Sequence, residues 1–235
     1  MKTLSSCIAT LIIIVDATLA DDFVANGGLT GPIPATNETA IPSVPPGWAA
    51  GNGNVDMHES GGVDRYGDQF PISVGGTEFI SGVGGDYPTG TTNESFFQNI
   101  SNLVVGQEYQ LSFYQANIGI NPAFRTFQYM AAGYWQVRFG STAFNSTLMP
   151  FVGFGADDFS VVTTSFIAAS STQKLEFIAR DDGVIDSNFS YIAIDDIGLV
   201  IVPEPSTTTM VGVGVLAFSM IRRRAMMPPA GKFLC

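Results

Sequence analysis

The sequence predicts an all-β fold, built as a β-sandwich or barrel. Short segments alternate between apolar and polar residues, which is the pattern of half-buried strands. Clusters of Gly, Asn, Asp and Pro separate these segments as turns do, and helical periodicity is almost absent. The 26 glycines and the charged fraction of only 13% argue against a coiled coil or a large helical bundle. Many short strands joined by polar turns are typical of sandwiches and barrels.

About eight to ten strands are expected between residues 21 and 201. Three segments alternate clearly, at residues 109–113, 135–139 and 175–180, and residues 191–199 are expected to form a final strand with little polar content except Asp195 and Asp196. Weaker segments lie near Asn54–Met57, Glu78–Ser81, Glu94–Ile100 and Val161–Ala168. Turn signals lie at residues 51–53, 84–86 and 181–183, and residues 122–132 are expected to form a loop or a single helical turn.

Residues 1–20 have the pattern of a secretory signal peptide. Lys2 precedes an apolar stretch over residues 7–15, and Ala20 closes the segment after another small residue at position 18. We therefore expect export through the secretion translocon, with cleavage after Ala20. A buried N-terminal strand is the alternative interpretation of the same apolar stretch.

The other end of the chain carries a motif, an apolar run and a basic cluster in that order. The motif spans residues 202–207 and contains Val202, Pro203, Glu204, Pro205 and Ser206. A transmembrane helix over about residues 208–221 is expected next, followed by Arg222, Arg223 and Arg224 and a short tail at residues 225–235. Because basic residues stay cytoplasmic, residues 21–205 are expected outside. Fifteen helical residues reach only about 22 Å, short of the roughly 30 Å hydrocarbon core, so this segment alone makes a poor anchor.

Residues 202–224 resemble the PEP-CTERM sorting signal of Gram-negative bacteria. The resemblance implies recognition by an exosortase, a membrane cysteine protease thought to cut near the Pro-Glu-Pro sequence. It also implies an inner-membrane intermediate and a final place at the cell surface or in the extracellular matrix, often together with exopolysaccharide production. A plain single-pass anchor is the alternative.

Several short sequence segments of the middle region, taken in order, resemble those of galactose-binding-like jelly rolls. This superfamily includes many carbohydrate-binding modules. The segments lie at residues 26–29, 45–48, 53–56, 97–109 and 191–199. The resemblance covers roughly residues 23–201, and it implies that residues 21–201 form a jelly-roll β-sandwich.

The same resemblance implies a structural calcium site. In this superfamily a Glu near the opening Asn-Gly and an acidic residue of the last strand commonly ligate the ion. Asp195 or Asp196 matches the last-strand ligand, whereas Leu29 and Thr30 stand where the family has Phe and Glu. The alternative is a β-bulge at a strand edge, with the carboxylates bonded to backbone N–H groups.

The charge balance narrows the possible partners. Residues 21–205 hold five basic and 20 acidic side chains. Such a surface argues against a nucleic-acid partner, which would need a basic face. It also repels anionic polymers unless a divalent cation intervenes, which makes calcium bound through carboxylates plausible.

The residues that carry catalysis in other proteins are sparse. His58 is the one histidine in the sequence, so a multi-histidine zinc site is excluded, and no Gly-x-Ser-x-Gly elbow accompanies it. We expect His58 at the surface or at a strand end. Acidic residues are dense at residues 157–158 and 181–186, but they lie in Gly-rich segments where solvated turn residues are the rule. We therefore expect that the protein is not an enzyme.

Aromatic residues offer a better basis for function, because sugar-binding sandwiches stack sugar rings on them. The candidates in or beside loops are Trp48, Tyr87, Tyr129 and Tyr134. Trp135 is expected in the core by strand parity. The leading hypothesis is an exported, non-catalytic envelope or matrix protein that binds carbohydrate or exopolysaccharide. One alternative is a calcium-bridged structural matrix protein with no specific ligand, and a less favoured one is a glycan-acting hydrolase.

Overall fold

The computed structural model describes residues 22–33, 43–64, 67–87, 90–120, 128–155, 158–183 and 188–203. These residues form eleven strands and no helix. The strands are β1 (Ala49–Ala50), β2 (Asp56–Glu59), β3 (Glu78–Tyr87), β4 (Gly90–Asn93), β5 (Ser95–Ile100), β6 (Glu108–Asn117), β7 (Gly133–Phe139), β8 (Thr142–Asn145), β9 (Ser160–Ile167), β10 (Gln173–Asp181) and β11 (Ser190–Ile201). The predicted signal peptide at residues 1–20 lies outside the described residues.

The strands form two antiparallel sheets. The five-stranded sheet has the order β1-β5-β10-β7-β8, and the six-stranded sheet has the order β2-β3-β11-β6-β9 with β4 paired to β3. The predicted all-β sandwich is therefore confirmed. Strands that are neighbours in a sheet are mostly far apart in sequence: β10, for example, lies between β5 and β7.

The main core lies between the two sheets and is rich in aromatic side chains. Alternate residues of β10 and β7 point inward, so that Phe177 and Trp135 are fully buried. Phe177 stacks on Phe96 with ring centroids 5.3 Å apart. The indole Nε1 of Trp135 donates to the backbone oxygen of Ala193 at 3.0 Å, which satisfies its buried donor. The core position predicted for Trp135 is confirmed.

A second apolar cluster covers the outer face of the six-stranded sheet. Phe79 and Tyr191 point to this face from β3 and β11, and Phe70 packs on Phe79 from the segment between β2 and β3. In the part of the chain that the structure describes, no such cluster covers the outer face of the five-stranded sheet. That face therefore presents polar side chains to solvent.

Two local features differ from the expectations. Residues 84–86 were expected to be a turn, but they lie within β3. A Cβ at Gly84 would lie 2.5 Å from the backbone carbon of Arg180 in the opposite sheet, so the glycine allows close approach of the sheets rather than a turn. The bulge between Asp195 and Gly198 lies in a central strand rather than an edge strand, because β11 pairs with β6 on both sides of the bulge and with β3 as far as Ile194.

Candidate functional site

A groove of about 580 Å³ runs over the outer face of the five-stranded sheet. We call it the sheet groove. Its floor is formed by outward-facing side chains of the three middle strands, and the loop at residues 50–52 borders it. The floor residues that matter below are Phe97 of β5, Arg138 of β7 and Lys174, Glu176 and Arg180 of β10.

Strand register places these side chains side by side. Glu176 pairs with Phe97 on one side and with Arg138 on the other, so the three form one row across the sheet. Arg180 pairs with Tyr134 and forms a second row four residues further along β10. Side chains on strands stand in fixed positions, which favours a preorganised site.

Two cations share one carboxylate at the centre of the groove. Lys174 Nζ lies 2.7 Å from Glu176 Oε1 and 4.1 Å from the centre of the Phe97 ring. Arg138 Nη1 lies 3.9 Å from Glu176 Oε2. The side chains of Lys174 and Arg138 are 42% and 48% exposed, whereas that of Glu176 is 13% exposed. The groove therefore presents its positive charges to solvent and holds its carboxylate below them.

Neutral amides orient the arginines. Gln136 Oε1 accepts from Arg180 Nη2 at 2.9 Å and from Arg138 Nη2 at 3.4 Å. Asn93, with its amide oxygen facing Arg180, accepts from Nη1 at 2.6 Å and donates to the Ala179 oxygen at 3.2 Å. Arg180 is thus held in place by neutral amides, whereas Arg138 also pairs with the Glu176 carboxylate.

The groove continues into a smaller recess of about 250 Å³. Tyr134, Gln136, Asn93 and Arg180 line it, and residues 181–183 close its far end with two aspartates. Tyr134 is half-buried, so part of its ring faces the recess. Of the four aromatic residues predicted to contact sugars, Tyr134 is the one that the structure places in this site.

Two of the other three candidates, Trp48 and Tyr129, lie elsewhere. Trp48 was expected to offer a ring from a loop, but it is only 7% exposed and packs against Phe96, with ring centroids 5.0 Å apart. Its Nε1 donates to the Asn26 oxygen at 3.1 Å, which makes it a packing residue and corrects the expectation of an exposed ring. Tyr129 is half-buried against Tyr191, on the side of the six-stranded sheet. Tyr87 ends β3, and its side chain lies outside the described residues.

The aspartates predicted to hold calcium have other partners. Asp195 is fully buried, and its Oδ2 accepts from Ser73 Oγ at 2.6 Å, from Val74 N at 2.7 Å and from Gly75 N at 2.9 Å. Its Oδ1 accepts from the backbone N–H of Asp196 at 2.7 Å. Asp195 thus anchors the segment before β3 to the bulge of β11, as the alternative interpretation proposed.

Asp196 stands in the left-handed region with a φ of 47°. Burial raises the pKa of its carboxyl, and the negative charges of Asp195 and Asp22 raise it further. Among the described residues, no three His, Cys, Asp or Glu side chains come together as metal ligands would. The carboxylate of Asp195 already accepts hydrogen bonds from four donors. These side chains therefore do not fit the predicted calcium ion.

The expectation for His58 is wrong, because the residue is fully buried on β2 rather than exposed. Its Nε2 lies 2.7 Å from Ser81 Oγ and 3.0 Å from the Tyr191 hydroxyl, which donates to Asp56 Oδ2 at 3.0 Å. The ring packs on Phe70 with centroids 4.4 Å apart. Burial lowers the pKa of His58 to about 3, so the ring is neutral in the folded protein.

Glu94 lies directly behind the groove, between Asn93 and Ser95. It is largely buried and accepts from Val83 N at 2.8 Å and Asn54 N at 3.3 Å. Burial raises its pKa to about 7 despite the Val83 hydrogen bond, and the nearby Asp56 charge adds to the increase. The raised pKa of Glu94 could not be predicted from composition, because the burial of this side chain depends on the close approach of the two sheets.

Of the predicted sorting residues, the structure describes Val202 and Pro203. The Val202 N–H donates to the Glu108 oxygen at 3.0 Å, and Gln107 Nε2 donates to the Val202 oxygen at 2.9 Å. The sandwich thus holds the chain up to the start of the motif. Glu204, Pro205, Ser206, the expected helix and residues 222–224 lie outside the described residues. Within the described ranges, no helix is long and apolar enough to cross a membrane.

Residues 202–224 match the PEP-CTERM protein-sorting motif, which confirms the resemblance seen in the sequence. The motif indicates an exported protein that is sorted to the cell envelope, and it implies processing by an exosortase. No curated protein matches the chain.

Solved structures resemble the chain at low identity. The enzymatically active domain of tailspike protein 4 from bacteriophage CBA120 is 14% identical, with a TM-score of 0.41, and the match covers 67% of this chain but 20% of that one. A cyclase from Fischerella sp. TAU is 16% identical, with a TM-score of 0.46 and coverage of 75% and 98%. The carbohydrate-binding module TmCBM61, in complex with β-1,4-galactotriose, is 11% identical, with a TM-score of 0.38 and coverage of 66% and 88%.

Proposed function

We propose that the chain is an exported, non-catalytic protein of the cell surface or extracellular matrix, and that its sheet groove binds polysaccharide. The observation that carries the proposal is the groove itself. It is an open, polar channel on an otherwise uncovered sheet face of the described structure, with oriented amides and an aromatic ring along one wall.

The chemistry of the groove suits sugar hydroxyls. A hydroxyl both donates and accepts hydrogen bonds, and the side-chain amides of Asn93 and Gln136 do the same. The half-buried ring of Tyr134 supplies an apolar surface beside them. An open channel also suits a polymer, which must enter and leave along its length, better than it suits a small ligand, which is usually enclosed.

The sorting motif supports the proposed location. A chain recognised by an exosortase passes through the secretion translocon and the inner membrane before it reaches the surface. We propose this route in a Gram-negative bacterium, where the sandwich would face the extracellular polysaccharide that is its ligand.

The positions of the shifted pKa values support a binding role rather than catalysis. Catalytic acids and bases commonly have shifted pKa values and line a cleft. Among the described residues, the groups with strongly shifted pKa values are His58, Glu94 and Tyr191. These side chains are buried and do not line the groove. The groove carboxylate of Glu176 is instead held by Lys174 and Arg138.

Replacement of Tyr134 tests the proposal. The full-length chain, purified in detergent, is measured by affinity electrophoresis against polygalacturonate, its methyl ester, β-1,4-galactan and xylan. We expect saturable binding to at least one polymer, and a loss of affinity of about tenfold in Tyr134→Ala.

Tyr114→Ala is the matched control, because Tyr114 is also half-buried but lies on β6 of the other sheet. It should bind as the wild type does. A folded chain that binds none of the four polymers, or equal losses in the two variants, would contradict the proposed function.

A further inference from the structure

We propose that the sheet groove selects an acidic polysaccharide, one whose chain carries carboxylate groups. The inference rests on the proposed function and deepens it by naming the ligand class. It reverses an expectation from composition, since the acidic surface of the whole domain was expected to repel anionic polymers.

The distribution of basic residues is the first argument. Residues 21–205 contain five basic side chains against 20 acidic ones. Three of the five, Arg138, Lys174 and Arg180, line the sheet groove. The other two, Arg65 and Arg125, lie outside the described residues. All the basic side chains of this region that the structure describes thus lie in one groove of an otherwise acidic protein.

The local charge balance is the second argument. Among the described residues that line the main groove, Glu176 is the only carboxylate, and three cations face it. Arg180 is held by the neutral amides of Gln136 and Asn93, which leave its charge available, and Glu176 balances only one of the two charges of Lys174 and Arg138. A neutral sugar can accept hydrogen bonds from these cations, but a carboxylate is also attracted by their charge, and each guanidinium can bind it through two parallel hydrogen bonds.

The spacing of the charges is the third argument. Lys174 and Arg180 are six residues apart on β10, about 20 Å along a strand, but their charged ends lie closer together, because Lys174 Nζ contacts Glu176 and both Arg180 and Arg138 donate to Gln136 Oε1. The three cations thus form one row along the groove, in which Arg138 lies between Lys174 and Arg180. An extended polymer with a negative charge at regular intervals can contact all three.

The far end of the recess limits where the bound segment can lie. Asp181 and Asp182 line that end, beyond Arg180. Among the described residues, this end of the recess offers no cation that could bind an acidic polymer. The charged part of the ligand is therefore expected to lie between Lys174 and Arg180.

Esterification of one polymer isolates the contribution of charge. Polygalacturonate and its methyl ester share a backbone, but the ester lacks the negative charges. We expect the full-length chain to bind polygalacturonate about tenfold more tightly than the ester at about 20 mM NaCl, and to lose most of that preference at about 500 mM NaCl. Poly-L-glutamate, a carboxylate polymer without sugar, should bind at least about tenfold more weakly than polygalacturonate.

A charge-matched pair of variants locates the effect. The double variant Lys174→Gln, Arg138→Gln removes two charges from exposed side chains of the groove. The control Thr163→Glu, Ser165→Glu changes the net charge by the same amount at exposed positions of β9 on the other sheet. We expect the groove variant to lose about tenfold in affinity for polygalacturonate and to lose much less for the ester, while the control keeps both affinities.

The outcomes separate this inference from the function on which it rests. Equal binding of polygalacturonate and the ester, or of poly-L-glutamate and polygalacturonate, overturns the acidic-polysaccharide inference and leaves polysaccharide binding in place. Equal losses in the groove variant and the control overturn it as well. Absence of binding to these polymers and to the neutral galactan and xylan overturns both.

Discussion

Replacing His58 with Gln removes a pH dependence of about 2.5 to 3 kcal/mol from the free energy of unfolding between about pH 7.5 and pH 4.5. The cause is the buried imidazole. Its pKa is about 3 in the folded protein, against an ordinary value of 6.5. Between these two values the unfolded chain binds one proton more than the folded chain. This group therefore makes the protein less stable as the pH falls from 6.5 towards 3.

Urea unfolding of the wild type and of His58→Gln at both pH values measures this effect. The substitution costs some stability at every pH because it disturbs contacts with Ser81 and Tyr191. The informative quantity is the difference between the two proteins, which should shrink towards acid pH by the amount stated. A difference that stays constant from pH 7.5 to pH 4.5 would show that His58 is accessible and protonates normally in the folded chain.

Replacing Glu94 with Gln removes a pH dependence of the free energy of unfolding that is similar in size to that of His58 and opposite in sign. Burial raises the pKa of Glu94 from 4.5 to about 7, so between these values the folded chain binds one proton more than the unfolded chain. The carboxyl therefore makes the protein less stable as the pH rises from 4.5 to 7. The loss amounts to about 3 kcal/mol by pH 7.5. Gln imitates the protonated carboxyl and lacks this dependence.

The same urea titrations test this prediction. Relative to the wild type, Glu94→Gln should gain about 3 kcal/mol in unfolding free energy between pH 4.5 and pH 7.5. The contributions of His58 and Glu94 nearly cancel in the wild type over this range, so each variant reveals the dependence caused by the other group. Parallel profiles for wild type and Glu94→Gln would contradict a raised pKa at Glu94.

Much of the fold could be predicted from local patterns. The alternation along residues 109–113, 135–139 and 175–180 corresponds to β6, β7 and β10, and the largely apolar segment at residues 191–199 corresponds to β11. The short strands β1, β4 and β8 were missed because two to four residues carry too little pattern to recognise. The glycines of β3 were misread as a turn, since their need for close approach to the opposite sheet is not visible in the sequence.

The candidate site could be predicted only in part. Parity along β7 and β10 separates the outward residues Gln136, Arg138, Glu176 and Arg180 from the core. What the sequence does not reveal is that β10 lies between β5 and β7, which brings these polar faces together with Phe97 and Asn93 in one groove. The burial of His58 could not be predicted either, because it depends on Phe70, a residue outside any named strand.

Chemical protection of the groove by bound polysaccharide tests the central claim most directly. Cys7 and Cys235 are the two cysteines of the chain, and both are replaced by Ser. A single cysteine is then introduced at exposed Ala50, which lines the groove, or at exposed Thr163 on β9 as the control. With polygalacturonate at about ten times its measured Kd, alkylation of the full-length Ala50→Cys chain by iodoacetamide should slow about tenfold. Alkylation of Thr163→Cys should keep its rate. Equal rates at Ala50→Cys with and without bound polysaccharide would show that the sheet groove is not the binding site.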